Sequence, residues 1–125
     1  VVKLIRNYKF DCSYYFSSFD WLSIIKVKKL LPKSKVGILI DKFYRKNQIA
    51  DILSNCRKHS FFSCGFNIKI ISEKIVQLCK DYGMLITVYS SKNIEKNEAN
   101  GLWDLGVDSI FIDNPTSYKK ILKQN

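Results

Sequence analysis

The sequence has little proline and glycine, with two prolines and five glycines among 125 residues. This scarcity excludes a collagen-like repeat and a Gly/Pro-rich linker, and the 46% hydrophobic content excludes a disordered tail. No uncharged apolar run approaches the roughly 18 residues that a transmembrane helix needs. The first residues lack the apolar stretch and cleavage site of a signal peptide, so we expect none. The length fits one domain of ordinary size or part of a larger one.

Arginine is also scarce, although the chain carries a net charge of +10. Only 3 of the 21 cationic residues are arginine, and the lysines are spread along the chain. Arginine is the side chain best suited to bidentate contacts with phosphates and bases. We therefore interpret most of the charge as solvated helix faces and expect no nucleic-acid partner.

Closely spaced metal ligands are missing as well. The cysteines stand at positions 12, 56, 64 and 79 without a C-x-x-C pair, and His59 is the only histidine. A zinc site needs ligands in close pairs, so these residues predict none. Because no export signal is found, we expect reduced, mostly buried thiols in a cytoplasmic protein.

What the sequence does contain is a regular alternation of β-rich runs and longer helical runs. Continuous apolar strands separated by helices indicate an α/β domain with a parallel sheet covered by helices. Two architectures fit this pattern: an open five-stranded sheet, and a contiguous part of a (β/α)8 barrel. The predicted strands are residues 13–19, 36–40, 61–66, 85–89 and 109–112, and the predicted helices are 21–31, 49–56, 73–82, 93 or 96 to 105, and 117–122.

The sequence has no glycine-rich phosphate-binding loop, so we expect functional residues at the carboxyl ends of the strands. Asp20, Asp41 and Asp113 follow three predicted strands, either as a metal or general-base cluster or as caps of the next helix or loop. We favour capping. His59 precedes a strand and so lies at the other end, which leaves the serines at the strand ends without a histidine partner. Tyr89 ends its strand with a ring that belongs either to the core or to a ligand-facing wall.

Several segments share a pattern in order and spacing. FSSFD at 16–20 and KVGILID at 35–41 resemble "SSFD … yGyLiD". SEKIVQLCKDYGMLITVY at 72–89 is similar to a helix, a glycine and a strand ending in "WTvN". LGVDSIFIDNP at 105–115 is similar to "lGVDgiiTDyP". These are features of the glycerophosphodiester phosphodiesterase family, which the chain resembles over nearly its whole length.

The resemblance implies a fold and an activity. The family is a (β/α)8 TIM barrel that hydrolyses glycerophosphodiesters to glycerol 3-phosphate and an alcohol, using a divalent cation such as Mg²⁺ or Ca²⁺. It therefore favours the barrel over the open sheet. It also implies that this chain forms the C-terminal five βα units of a TIM-type barrel.

The family's catalytic motifs have no counterpart in this sequence. The family carries HRG, ExD, HD and Glu-x-Lys motifs, whose side chains supply acid–base groups and metal ligands. The resemblance thus implies no catalytic and no metal-binding residue here, and we expect residues 1–125 to be a partial domain without its N-terminal catalytic part. Two substrate-binding residues carry over by position: Phe19, within SSFD, and Tyr89, at the tryptophan of WTvN. The family's WTvN is YSSK at 89–92, which is a departure at that wall.

The resemblance also implies partners. We expect the chain to be inactive alone and to meet a glycerophosphodiester only when completed by a separate N-terminal half, or after self-association. A half barrel exposes unpaired edge strands and an uncovered face, which favours either kind of assembly. The alternative is a standalone α/β pseudoenzyme or phosphodiester-binding module with no hydrolysis.

Overall fold

The computed structural model describes residues 15–111, in which five strands alternate with four helices. All strands are parallel and pair in chain order, so each helix returns the chain to the next neighbouring strand. Within this range no helix is long and apolar enough to cross a membrane. The elements are β1 (Tyr15–Ser18), α1 (Trp21–Leu30), β2 (Lys35–Ile40), α2 (Lys46–Lys58), β3 (Ser63–Asn67), α3 (Glu73–Asp81), β4 (Leu85–Tyr89), α4 (Lys96–Leu105) and β5 (Ser109–Ile110).

The hydrophobic core lies between the sheet and the helices. Val36 and Ile38 on β2 are fully buried, together with Leu53 on α2 and Ile86 on β4. Burying an aliphatic side chain of this size stabilises the fold by about 1.5–3 kcal/mol. Because side chains alternate along a strand, the residues between these core positions point to the opposite face of the sheet.

That opposite face, called here the inner face, has little free space above its central residues. The register pairs Gly37 with Ser63 and Gly65 with Thr87. A methyl group on Gly37 would lie 2.6 Å from the Oη atom of Tyr15, so no larger side chain fits there without movement. The inner face consists of Tyr15, Ser17, Lys35, Gly37, Leu39, Ser63, Gly65, Asn67, Leu85, Thr87, Tyr89 and Ser109.

Helix boundaries follow local hydrogen bonds more than apolar spacing. Helix α2 begins three residues before the predicted position, because the Gln48 side chain accepts a hydrogen bond of 2.8 Å from the backbone N–H of Arg45. At α3 the predicted cap is present, with Ser72 Oγ accepting from the N–H of Ile75 at 3.3 Å. Helix α4 starts at Lys96, the later of the two predicted positions.

Strand β3 begins two residues later than predicted. Phe61 lies in the core before the strand, with its ring centroid 5.5 Å from that of Trp21. Strand β5 spans only Ser109–Ile110 and so ends before Phe111, whereas position 112, the last of the predicted strand, falls outside the described residues. The predicted helix at 117–122, together with Cys12 and Asp113, also lies outside them.

Three of the four cysteines lie within the described range, and the prediction of buried, reduced thiols is confirmed for them. Cys56, Cys64 and Cys79 are free and fully buried. The Sγ atoms of Cys56 and Cys64 are 3.7 Å apart, and this contact, with burial, raises the pKa of the Cys64 thiol well above its usual value. Burial raises the pKa of Cys79 to about 12. Cys64 and Cys79 therefore act as small apolar side chains of the core at neutral pH.

Candidate functional site

The carboxyl ends of the five parallel strands meet at one edge of the sheet, which is where α/β barrels carry their ligands. Phe19 follows β1 directly, and Tyr89 is the last residue of β4. Their rings touch edge to face, with centroids 5.6 Å apart and planes at 85°. The structure thus brings together the two residues that the sequence singles out for substrate binding.

This contact spans two intervening strands. Neighbouring strands lie about 4.8 Å apart, so β1 and β4 would be about 14 Å apart in a flat sheet. The two rings meet because both lean over the inner face and because the sheet curves towards it, as the strands of a barrel do. Phe19 keeps 52% of its surface exposed, so the ring pair presents an open aromatic wall.

Tyr89 is held in place by a second contact. Its Oη donates a hydrogen bond of 2.9 Å to the carbonyl oxygen of Ile40, at the end of β2. Burial, together with the nearby charge of Asp41, raises the pKa of Tyr89 to about 12. At neutral pH the phenol is therefore a fixed, neutral hydrogen-bond donor, and it does not act as a base. The half-buried ring therefore packs against Phe19 at the carboxyl edge of the sheet.

Asp20 is a helix cap, as expected. Its two carboxylate oxygens accept hydrogen bonds from the N–H of Leu22 at 3.0 Å and from Ser23 Oγ at 2.8 Å. The hydrogen bond from Ser23 is the main reason that the pKa of Asp20 lies below its usual value. With both oxygens engaged at the start of α1, this carboxylate is committed to capping.

Asp41 has a different environment. It is exposed just after β2 and lines a cleft of about 280 Å³ beside Phe19, Leu39 and Lys42. Among residues 15–111 no group of three or more His, Cys, Asp or Glu side chains lies close enough to hold a metal ion. Residues 15–111 therefore do not by themselves supply the ligands that a divalent cation needs.

His59 and Asn67 lie at opposite ends of the sheet. His59 ends α2 at the amino-terminal side of the sheet, away from the candidate edge, as its position before a strand predicted. Asn67 was missed, since β3 extends one residue beyond its predicted end. It pairs with Tyr89 in the register, and its Oδ1 accepts from the N–H of Lys69 at 3.0 Å. An asparagine ahead of a turn was the available signal.

Comparison with known proteins gives a family. The sequence profile described as "Glycerophosphoryl diester phosphodiesterase family" matches residues 2–117. A "Glycerophosphodiester phosphodiesterase" from Caldanaerobacter subterraneus subsp. tengcongensis is 26% identical over 124 residues, which are 99% of this chain and 48% of that protein.

Solved structures agree in fold. A phosphodiesterase from Oleispira antarctica, in complex with the product sn-glycerol-3-phosphate, superposes with a TM-score of 0.81 at 18% identity over 98% of this chain and 47% of its own. A glycerophosphodiester phosphodiesterase from Parabacteroides distasonis gives a TM-score of 0.76 at 22% identity, covering 98% and 48%. The chain thus spans about half the length of the relatives it matches. It belongs to the glycerophosphoryl diester phosphodiesterase family, and its fold is part of that family's TIM barrel.

Proposed function

We propose that this chain supplies the C-terminal five βα units of a barrel that hydrolyses glycerophosphodiesters to glycerol 3-phosphate and an alcohol. In this proposal Phe19 and Tyr89 form the substrate-side wall. The observation that carries it is their edge-to-face contact at the carboxyl edge of the sheet, with half of the Phe19 surface open. The glycerol 3-phosphate product bound to the Oleispira protein supports a substrate of this class.

The wall would position the substrate and exclude water from one side of it. An aromatic surface packs against the C–H groups of a glycerol chain, and pocket walls are largely apolar and aromatic. The bond from Tyr89 Oη to the Ile40 carbonyl fixes one ring, so little side-chain freedom is lost when substrate binds. The exposed Asp41 would accept hydrogen bonds from glycerol hydroxyl groups, and its charge would keep the phosphate away from this end of the wall.

The acid–base groups, and the divalent cation used by the complete barrel, are proposed to belong to the part of the relatives that this chain does not span. A bound Mg²⁺ or Ca²⁺ would stabilise negative charge on the phosphate. The chain itself would bind and orient the glycerol end, and alone it would be inactive. Its partner would be a separate N-terminal half, or a second copy of the chain that covers the same face.

Complementation tests this proposal. The 125-residue chain is mixed with the part of the Caldanaerobacter relative that it does not match, and release of glycerol 3-phosphate from glycerophosphocholine is measured with Mg²⁺ or Ca²⁺. We expect activity from the mixture and from neither part alone. Phe19→Ala is expected to raise KM about tenfold, because it removes half of the wall.

Phe43→Ala is the matched control. Phe43 is a phenylalanine with 80% of its surface exposed, and it does not line the cleft beside Phe19. Its replacement should leave KM unchanged. A mixture that assembles but releases no glycerol 3-phosphate would contradict the proposal. Binding of glycerophosphocholine by the chain alone, with no hydrolysis after assembly, would favour the standalone binding module instead.

A further inference from the structure

A second cleft lies at the opposite, amino-terminal end of the sheet. It has a volume of about 560 Å³ and lies among the carboxyl ends of α1, α2 and α3 and the residues that lead into β2, β3 and β4. Five cationic residues line it: Lys28, Lys33, Lys35, Arg57 and Lys80, of which Lys80 directs its Nζ towards Gly106.

Within residues 15–111, the positive charge of this cleft is only partly balanced. Asp81 is the one carboxylate in its lining, and its Oδ1 accepts a hydrogen bond from Gln77 Nε2 at 3.0 Å. Within residues 15–111, none of the five cations is joined to a carboxylate by an ion pair. Cations at helix carboxyl ends commonly offset the helix dipole, which amounts to about half a negative charge per helix. Three helix ends and one carboxylate therefore leave roughly half of the five positive charges uncompensated.

Two of the cations are already positioned. Lys28 Nζ donates a hydrogen bond of 2.7 Å to the carbonyl oxygen of Ser34. Lys35 Nζ lies 4.8 Å from the ring centroid of Phe62, in a cation–π contact. Arg57 and Lys33 are exposed and approach the cleft from the end of α2 and from the α1–β2 loop.

We propose that this cleft binds a small polyphosphate compound, one that carries two or more linked phosphate groups. Its volume falls within the range of small-molecule sites, about 300–1,000 Å³. Several cations from separate elements converge on one concavity, so a single phosphate would leave most of them unpartnered. A compact, multiply charged ligand would engage them together, with the guanidinium of Arg57 able to bind phosphate oxygens in a bidentate manner.

The location makes this site independent of the proposed substrate wall. Lys35 begins β2 and Asp41 follows its end, so the two edges of the sheet are about 20 Å apart at 3.3 Å per residue. A ligand at the amino-terminal end would not compete with a glycerophosphodiester at the carboxyl end. The site is therefore suited to regulation or to stabilisation of the fold, and it can be tested whether or not hydrolysis is ever reconstituted.

Isothermal titration calorimetry on the 125-residue chain tests the proposal with three probes: inorganic tripolyphosphate, ATP and orthophosphate. We expect saturable one-to-one binding of tripolyphosphate and ATP, and much weaker binding of orthophosphate. ATP binding more tightly than tripolyphosphate would identify a nucleoside polyphosphate, and equal affinities would identify the phosphate chain alone. No saturable heat with either polyphosphate would overturn the proposal.

A pair of double variants separates the cleft from the overall charge. Lys33→Gln with Arg57→Gln removes two cleft cations and should weaken binding about tenfold. Lys29→Gln with Lys58→Gln removes the same charge from neighbouring positions outside the cleft lining, and should weaken it less than about twofold. Circular dichroism checks that both fold alike. Equal losses of polyphosphate affinity in the two double variants would show a general attraction to polyanions and refute the site. So would a short DNA duplex that binds more tightly than tripolyphosphate and loses the same affinity in both double variants.

Discussion

The close packing around Gly37 predicts that an added methyl group at this position destabilises the fold. A Cβ atom at this position would lie 2.6 Å from Tyr15 Oη and 3.0 Å from the carbonyl oxygen of Ser63, and it would also meet Ser63 Oγ. The side chains of Tyr15 and Ser63 are hydrogen-bonded to each other above Gly37. Gly37→Ala would therefore cause overpacking and break that hydrogen bond.

The expected cost is a net loss of about 2 kcal/mol. Overpacking typically costs about 1–3 kcal/mol, and the broken hydrogen bond adds about 1 kcal/mol. The lower chain entropy of unfolded alanine offsets up to about 1 kcal/mol of this. Urea unfolding, followed by far-ultraviolet circular dichroism at fixed protein concentration, should show a midpoint lowered by about 1 M.

Gly101→Ala is the matched control for the same chemical change. Gly101 lies inside α4, and no atom lies within 4 Å of the position its Cβ would take. Alanine there should stabilise the chain by about 1 kcal/mol through helix propensity. A Gly37→Ala variant as stable as the native chain would refute the packing argument. Ser63→Ala should reduce the cost of Gly37→Ala, since it removes the hydroxyl that the new methyl group meets.

Four further outcomes are expected. Tyr89→Phe should remove a phenol that ionises near pH 12. The difference between the absorbance titrations of the native chain and the variant should therefore have its midpoint near pH 12, and a midpoint near pH 10 would contradict the burial of that group. Because the pKa of Tyr89 is raised on folding, its contribution to stability is present below pH 10 and falls between about pH 10 and 12; Tyr89→Phe should show less loss of stability over that window. Ser72→Ala should lower the free energy of unfolding by about 1 kcal/mol in urea, and no change would mean that the cap contributes nothing. Light scattering on the isolated chain should show self-association, since Phe19 and Leu85 expose 52% and 38% of their surfaces and β1 and β5 are edge strands among residues 15–111. A monomer at all concentrations would count against it.

The sequence predicted the order of the elements because each strand and helix has a local signal. The apolar run at 36–40, the Ser72 cap and the left-handed Gly106 at the end of α4 all act within a few residues of themselves. Boundaries were less accurate where a contact decides them. Helix α2 starts at a Gln48 side-chain hydrogen bond, and β3 starts late because Phe61 packs against Trp21.

The sequence pointed to the two residues of the candidate site but not to the contact between them. Periodicity placed Phe19 and Tyr89 near strand ends, but the contact between their rings depends on sheet curvature, which no local pattern encodes. The Ile40 carbonyl that fixes Tyr89 is a backbone group and leaves no trace in the residue type. The basic cleft was missed for a similar reason, since its cations come from segments that are distant in sequence.

The small residues of the inner face constrain whatever lies opposite them. Gly37, Ser63 and Gly65 occupy adjacent positions on β2 and β3, and the space above the two glycines is filled by Tyr15, Leu39 and Thr87 of the same half. A barrel interior is filled in layers to the density of a crystal, and its total volume is set by strand number and tilt. Any segment that closes this barrel should therefore carry inward-facing side chains whose volume matches the space left beside Tyr15, Leu39 and Thr87. A complementary half chosen by sequence identity alone could fail to close, whereas one chosen by the volume of its inward-facing residues should succeed.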